Sequence, residues 1–205
     1  MNYIKFHSTF SHLGCFDVNQ VRVVEASFDT TALARWEDKG YIVKLRNGVY
    51  AFADWASGVD TMFIAGNIIY RPSYVSLYSA LSHYGMIPEF VPQITSITTL
   101  KTATFTNAMG TFAYRHVKNE LFFGYYPAKT NRERQMLIAT PEKALLDLLY
   151  LTPGLRTVDD ALNLRLDDYY MSEAFDIEAA DGLLQRFASK SLNKRFSLLL
   201  KAYNL

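Results

Sequence analysis

Arg35 is the side chain with the clearest chemistry open to it. A guanidinium on an exposed helix face can bond guanine through two parallel hydrogen bonds. Arg35 sits in the run Asp29-Thr-Thr-Ala-Leu-Ala-Arg-Trp-Glu-Asp-Lys-Gly40, whose pattern predicts a helix over residues 30–39. Thr31, Arg35 and Asp38 share one side of that helix, with Thr30 near its start, while Leu33 and Trp36 fall opposite and should pack inward. Thr30 and Thr31 carry hydroxyls suited to phosphate or to the edge of a thymine methyl. Lys44, Arg46 and Asn47 follow on a predicted hairpin. From there they would meet the DNA backbone or minor groove, contacts that fix position more than sequence.

Two further groups have suggestive types and spacing. Lys190, Lys194, Arg195 and Lys201 recur near helical spacing, with Leu192, Phe196, Leu199 and Leu200 between them and Arg186 just upstream. Residues 186–205 hold these five bases and no acid, whereas residues 159–181 hold eight acids against Arg165 alone. A basic amphipathic helix of this kind suits nucleic acid, an acidic partner, or the chain's own acidic segment; a solvated helix face is the plainer reading. On this pattern, replacing Lys190, Lys194 and Arg195 with alanine is expected to spare folding. The third group is Glu142, Lys143 and Asp147. Glu142 and Lys143 have a plain role at a helix start, and Asp147, among leucines, either leans out or pairs with a base. A metal-dependent nuclease built on Asp147 or its neighbours is the catalytic alternative.

Other chemistry finds less support. His7 and His12 are five residues apart, off the i, i+4 face a metal needs, and His83 and His116 stand away from them. No glycine-rich phosphate loop or serine elbow occurs. Glu37-Asp38-Lys39 forms a carboxylate-x-lysine triplet, but on a helix rather than a strand edge. The expectation is therefore no enzyme, no cofactor and no metal. Half of the 205 residues are hydrophobic and a fifth are charged, the composition of a folded protein with a substantial core. Cys15 is the single cysteine and cannot form an internal disulfide, which fits a reducing cytoplasm. No run of 18 apolar residues and no N-terminal apolar signal core is present. The net charge is +1, and bases and acids balance over residues 1–55. That balance favours a protein-contact module as the alternative to DNA binding. It also makes any DNA affinity depend on dimerisation or on the basic tail.

These side chains need elements to hold them. Residues 2–13 read as a first helix, and Asp17 as the N-cap of a short helix over 18–24. Asp29 caps the helix over 30–39, with Phe28 and Leu33 at the spacing of a hydrophobic staple. Gly40 ends it, and Asn47-Gly48 turns a hairpin between residues 41–45 and 49–52. Residues 53–59 connect, and 60–69 fit either a helix or a buried strand. Ser73 is expected to cap a helix running to Tyr84, stopped by Gly85 and Pro88. Strands are expected at 94–100, 111–117, 121–126 and 135–139, with Lys118-Asn119 joining two of them as a hairpin. Thr140-Pro141-Glu142 opens a helix that Pro153-Gly154 ends, and residues 157–205 read as several helices. The fold class is α+β: a winged helix-turn-helix domain at 1–55, then an α+β domain at 60–205 with a small antiparallel sheet and a helical C-terminal part.

Three segments resemble the AbiEi family of antitoxins from abortive-infection, type IV toxin–antitoxin systems. They are residues 33–50, residues 79–85 with 91–97, and the run Ile138-Ala-Thr-Pro-Glu-Lys-Ala-Leu-Leu-Asp-Leu-Leu149. The last, downstream of such a wing, is the most specific. The resemblance implies an N-terminal winged helix that binds repeats in the promoter of its own operon, so that the protein represses its own transcription. It implies a C-terminal domain that counters a neighbouring nucleotidyltransferase toxin without a stable complex, in defence against phage. DNA-contact roles carry over to Arg35, Lys44 and Arg46. The helix before the turn departs from the pattern, offering only Arg22 as a base. A stand-alone regulator whose C-terminal domain senses a ligand or partner is the other reading.

Overall fold

The computed structural model describes residues 1–89, 91–130 and 134–205. Helix α1 (Tyr3–Phe10) leads through a 3₁₀ turn into strand β1 (Cys15–Asp17), helix α2 (Val18–Val24), helix α3 (Thr31–Asp38) and the hairpin β2 (Ile42–Arg46) and β3 (Val49–Phe52). Local chemistry sets most of these boundaries. The Asp17 carboxylate accepts from the Asn19 N–H at 2.7 Å while Gln20 accepts from the Asp17 N–H at 2.9 Å, closing a capping box on α2. Gly40 and Gly48 take left-handed φ values of +68° and +78° at the end of α3 and in the hairpin turn, where a side chain would be strained. The three strands pair antiparallel in the order β1-β3-β2. Strand β1 falls in the segment after the first helix, where the sequence pattern assigns no strand; its Cys15-Phe16-Asp17 is too short to show an alternation.

Helix α4 (Val59–Ile69) settles the ambiguity at 60–69. Its residues from Phe63 to Ile69 are all buried, which erases the one-sided periodicity that marks a surface helix. It packs on both sheets, which is why it has no polar face along that stretch. Beyond it come β4 (Ser73–Val75), α5 (Leu77–His83), β5 (Gln93–Thr98), β6 (Ala103–Asn107), β7 (Gly110–His116), β8 (Tyr125–Ala128), β9 (Met136–Ala139) and α6 (Pro141–Leu151). Then follow α7 (Val158–Leu162), a π turn at Tyr170–Ala174, α8 (Ile177–Phe187) and α9 (Lys190–Ala202).

The larger sheet corrects the sequence-based expectation of a small antiparallel one. It has six strands in the order β6-β7-β5-β4-β9-β8, and two of its pairs, β5 with β7 and β4 with β9, are parallel. Ser73 does not cap a helix. It begins β4, a central strand between β5 and β9, and the helix starts only at Leu77. Lys118-Asn119 does not turn a hairpin either, because β7 and β8 lie on opposite sides of the sheet's middle. The segment expected to be a strand at 121–126 begins instead as a 3₁₀ turn over Asn119–Leu121, with β8 following at Tyr125. Strand β6 lies where the sequence pattern assigns no element; its exposed threonines make it an ordinary edge strand, paired only with β7.

Three side chains, through four hydrogen bonds, tie the N-terminal part of the chain, up to Trp55, to the larger part. Arg134 donates to the carbonyls of Leu13 and Cys15, Asn107 Nδ2 donates to the Leu45 carbonyl at 3.1 Å, and Arg46 donates to the Ile69 carbonyl at 3.0 Å.

Candidate functional site

Helix α3 presents the surface its sequence promised. Ala32, Leu33 and Trp36 are buried, and Thr31, Ala34, Arg35 and Asp38 are exposed. Arg35 makes no ion pair with any described residue. The start of the helix differs in detail. It begins at Thr31, and the half-buried Thr30 makes no side-chain cap. Asp29 serves the first turn by accepting from the Thr31 N–H at 2.9 Å and from the Thr31 hydroxyl at 2.6 Å, which holds its carboxyl below the usual carboxylate range. The Thr31 hydroxyl proton is thus engaged within the chain.

Lys44, Arg46 and Asn47 are all exposed on β2 and the turn, but their contacts differ. Arg46 is folded back against the larger sheet: besides its bond to Ile69, its guanidinium lies 5.1 Å from the Tyr70 ring centre and 4.8 Å from that of Phe105. A stacked, hydrogen-bonded guanidinium is a tether. Of the six residues expected to face DNA, Arg35, Lys44 and Asn47 project outward, Thr31 and Thr30 border the same surface, and the exposed Arg46 has its guanidinium engaged by Ile69, Tyr70 and Phe105.

The basic tail is a core helix with a charged outer side. Leu192, Phe196 and Leu199 of α9 are buried, and Lys190, Lys194 and Lys201 are exposed. Arg195 donates to the carbonyls of Leu149 at 2.9 Å and Tyr150 at 3.2 Å, at the open end of α6. Arg186 lies 3.7 Å over the Phe123 ring. The acidic α7 packs against α9, yet no ion pair joins them among the described residues. The expectation that all three replacements spare folding is therefore revised for Arg195. Arg195→Ala should cost about 1.5–3 kcal/mol, as expected for hydrogen bonds from a charged group. The pair Lys190→Ala and Lys194→Ala should stay within about 0.5 kcal/mol of the parent. Urea melts of the variants check both; equal losses would show that Arg195 caps nothing of consequence.

Lys143 and Asp147 meet in the interior, one helical turn apart on α6 and both without solvent exposure. The Lys143 ammonium bonds Asp147 Oδ1 and donates to the Tyr74 hydroxyl at 2.8 Å. Tyr74 in turn donates to Asp147 Oδ2 at 3.0 Å, and the Ser76 hydroxyl reaches the same oxygen at 2.9 Å. The rings of Phe123 and Phe187 stand 4.9 and 4.8 Å from the ammonium. Burial pushes the Asp147 carboxyl up and the Lys143 ammonium down, and each partner's charge opposes the shift of the other. Tyr74 and Ser76 are not legible as partners in the sequence, where Ser73 has the look of a helix cap. As a strand, the segment puts both on the face toward α6, and the i, i+4 spacing of Lys143 and Asp147 was the legible half. Both Asp147 oxygens accept hydrogen bonds from within the chain, and the side chain has no solvent exposure.

The remaining reactive groups are dispersed. His7 pairs with Asp54 at 3.1 Å, and His116 Nδ1 lies 2.9 Å from the Leu100 carbonyl. Burial pushes the Cys15 thiol up to about 12, far from a thiolate nucleophile. Among the described residues no three histidine, cysteine, aspartate or glutamate side chains gather as metal ligands, and no helix is long and apolar enough to cross a membrane. Compared with protein-family models and with curated proteins, the chain matches none of either.

Proposed function

We propose that residues 1–55 are a winged helix-turn-helix and that the chain is a DNA-binding repressor whose larger part counteracts a nucleotidyltransferase toxin in the cytoplasm. One observation carries the DNA half. The order α2, α3, β2, β3 leaves one face of the second helix outward, with Arg35 on it and no ion pair to its guanidinium among the described residues. In helix-turn-helix proteins that second helix enters the major groove, and an arginine there reads guanine. Lys44 and Asn47 supply backbone contacts from the hairpin. Arg46, exposed but bonded to Ile69, anchors the hairpin beside them, and Asp38 on the same stripe lowers the attraction to phosphate. A homodimer on repeated half-sites would supply the affinity that a balanced charge withholds. The antitoxin half rests on the resemblance carried by residues 138–149.

Arg35→Ala is expected to weaken binding to promoter duplex from the protein's own operon by about 1–3 kcal/mol and to relax preference at one base position. Lys44→Ala should lower affinity alike on all sequences and reduce the salt dependence by about one phosphate contact. Fluorescence anisotropy against that duplex and a scrambled one reads both. Unchanged affinity in Arg35→Ala would sink the assignment of α3 as the reading helix.

A further inference from the structure

Where α4 and the start of β4 approach β8 and β9 there is a pocket of about 370 Å³, within the usual range of small-molecule sites. It collects two cations, Arg71 and Arg134, with Ser73 and the rings of Phe122 and Tyr125. Three properties set it apart from an ordinary crevice.

Neither arginine has a counter-charge among the described residues. Arg71 donates to the Asn67 carbonyl at 3.3 Å, and Arg134 to the Leu13 and Cys15 carbonyls, but no carboxylate among the described residues is within 4.0 Å of either guanidinium. Arg134 is half-buried, and burial with the charge of Arg71 lowers its pKa. Ser73 is 2% exposed, and its hydroxyl oxygen has no hydrogen-bond partner among the described residues. Buried hydroxyls are seldom left in that state without a ligand or water to complete them. Its strand neighbours Tyr74 and Ser76 turn to Asp147, so alternation places Ser73 on the other face, with α4 and the pocket. Finally, Phe122 and Tyr125 are only half-buried. Tyr125 stacks on Tyr74 at 4.6 Å with Phe122 tilted beside it at 5.1 Å, and both rings line the pocket.

Two guanidiniums with no carboxylate of the described residues against them, beside a hydroxyl donor with no partner among those residues, suit a multiply charged oxyanion. An aromatic platform next to them suits a base. We propose that this pocket binds a nucleoside monophosphate, its phosphate held by Arg71, Arg134 and Ser73 and its base laid against Phe122 and Tyr125. Because Arg134 also holds the carbonyls on either side of Gly14, the ligand would sit one side chain away from the N-terminal part of the chain. The site does not depend on that part binding DNA.

Isothermal titration calorimetry on the full chain tests this with AMP and GMP, the matching nucleosides, and inorganic phosphate. At least one monophosphate should bind saturably, about tenfold or more tighter than phosphate and tighter than its nucleoside, a gap of about 1.4 kcal/mol. Arg71→Ala and Ser73→Ala should each weaken the nucleotide by about tenfold, and Tyr125→Leu should weaken the nucleotide while leaving phosphate unchanged. Melting curves of each variant confirm that it is folded, and Arg71, being exposed, is the substitution least able to disturb the core. No saturable binding of either monophosphate at millimolar concentration, or binding indifferent to Arg71→Ala, would overturn the site. Phosphate binding as tightly as the nucleotides would overturn the nucleotide assignment.

Discussion

Lys143→Met should lower the free energy of unfolding by about 3–5 kcal/mol, a large share of the roughly 5–15 kcal/mol that holds a typical domain together. The substitution keeps a long side chain of similar volume, so little of the loss comes from packing. It comes from Asp147, whose carboxylate would remain in an interior bounded by Phe123 and Phe187 with only the Tyr74 and Ser76 hydroxyls for company. Asp147→Leu should cost a comparable amount by stranding the ammonium. The double variant Lys143→Met with Asp147→Leu should be more stable than either single one, because apolar groups of similar volume commonly replace buried pairs at little net cost. It will fall short of full recovery by about 1 kcal/mol for each hydroxyl that loses its acceptor. Guanidinium melts of the four proteins complete the cycle. Losses that simply add in the double variant would show that the two charges do not support one another.

Phe6→Ala should destabilise the protein by about 3–5 kcal/mol, the range for emptying a phenyl-sized site in a close-packed core. Phe6 is fully buried and its ring meets five others: Phe10 at 5.0 Å, Phe16 at 5.3 Å, Phe28 at 5.3 Å, Trp36 at 4.7 Å and Phe52 at 5.7 Å. One side chain thus joins α1, β1, the turn before α3, α3 itself and β3. Removing it opens a void beneath the helix that carries Arg35, so order in α3 should fall with stability. Trp36 and Trp55 are the chain's two tryptophans and both lie in its N-terminal part, so fluorescence follows that region of the molecule. Its unfolding midpoint should drop sharply in Phe6→Ala. In Phe6→Leu, which keeps most of the volume, the loss should stay below about 1.5 kcal/mol. A midpoint shift equal in the two variants would mean that α1 packs too loosely for this ring to matter.

What could be read from the chain beforehand depended on how local its causes are. The run from Asp29 to Phe52 carries its own instructions: a carboxylate at Asp29 for the first turn, a stop at Gly40, a turn at Asn47-Gly48, and an apolar stripe of Leu33 and Trp36. The start of α6 is equally self-contained, with the Thr140 hydroxyl accepting from the Lys143 N–H at 3.2 Å and Pro141 in the first turn. Strand β4 is the opposite case. It is a strand because β5 and β9 flank it, and nothing within Ser73-Tyr-Val announces partners as distant in sequence as Ile97 and Ile138. Misreading β4 also concealed Tyr74 and Ser76, hence half of the buried charge cluster. The direction of the Arg46 side chain is illegible for a related reason. Its position on the hairpin was correct, but its direction is set by Tyr70 and Phe105, which no hairpin rule takes into account. Arg195 shows the same limit, since a base on an amphipathic helix looks like a surface charge until the end of α6 is found beneath it.

The bonds from Arg46 to Ile69 and from Asn107 to Leu45 have a geometric consequence. They fasten strand β2 near its tip to two different elements, α4 and β6, so the hairpin cannot swing as a free arm. A duplex meeting Arg35 and Lys44 would meet the six-stranded sheet and its helices as one body with them. In a symmetric pair of such bodies, the distance between the two reading helices would be fixed by the width of the protein rather than by the slack of a linker. The permitted spacing between half-sites would then be narrow, and inserting a few base pairs between them would abolish paired binding instead of merely weakening it.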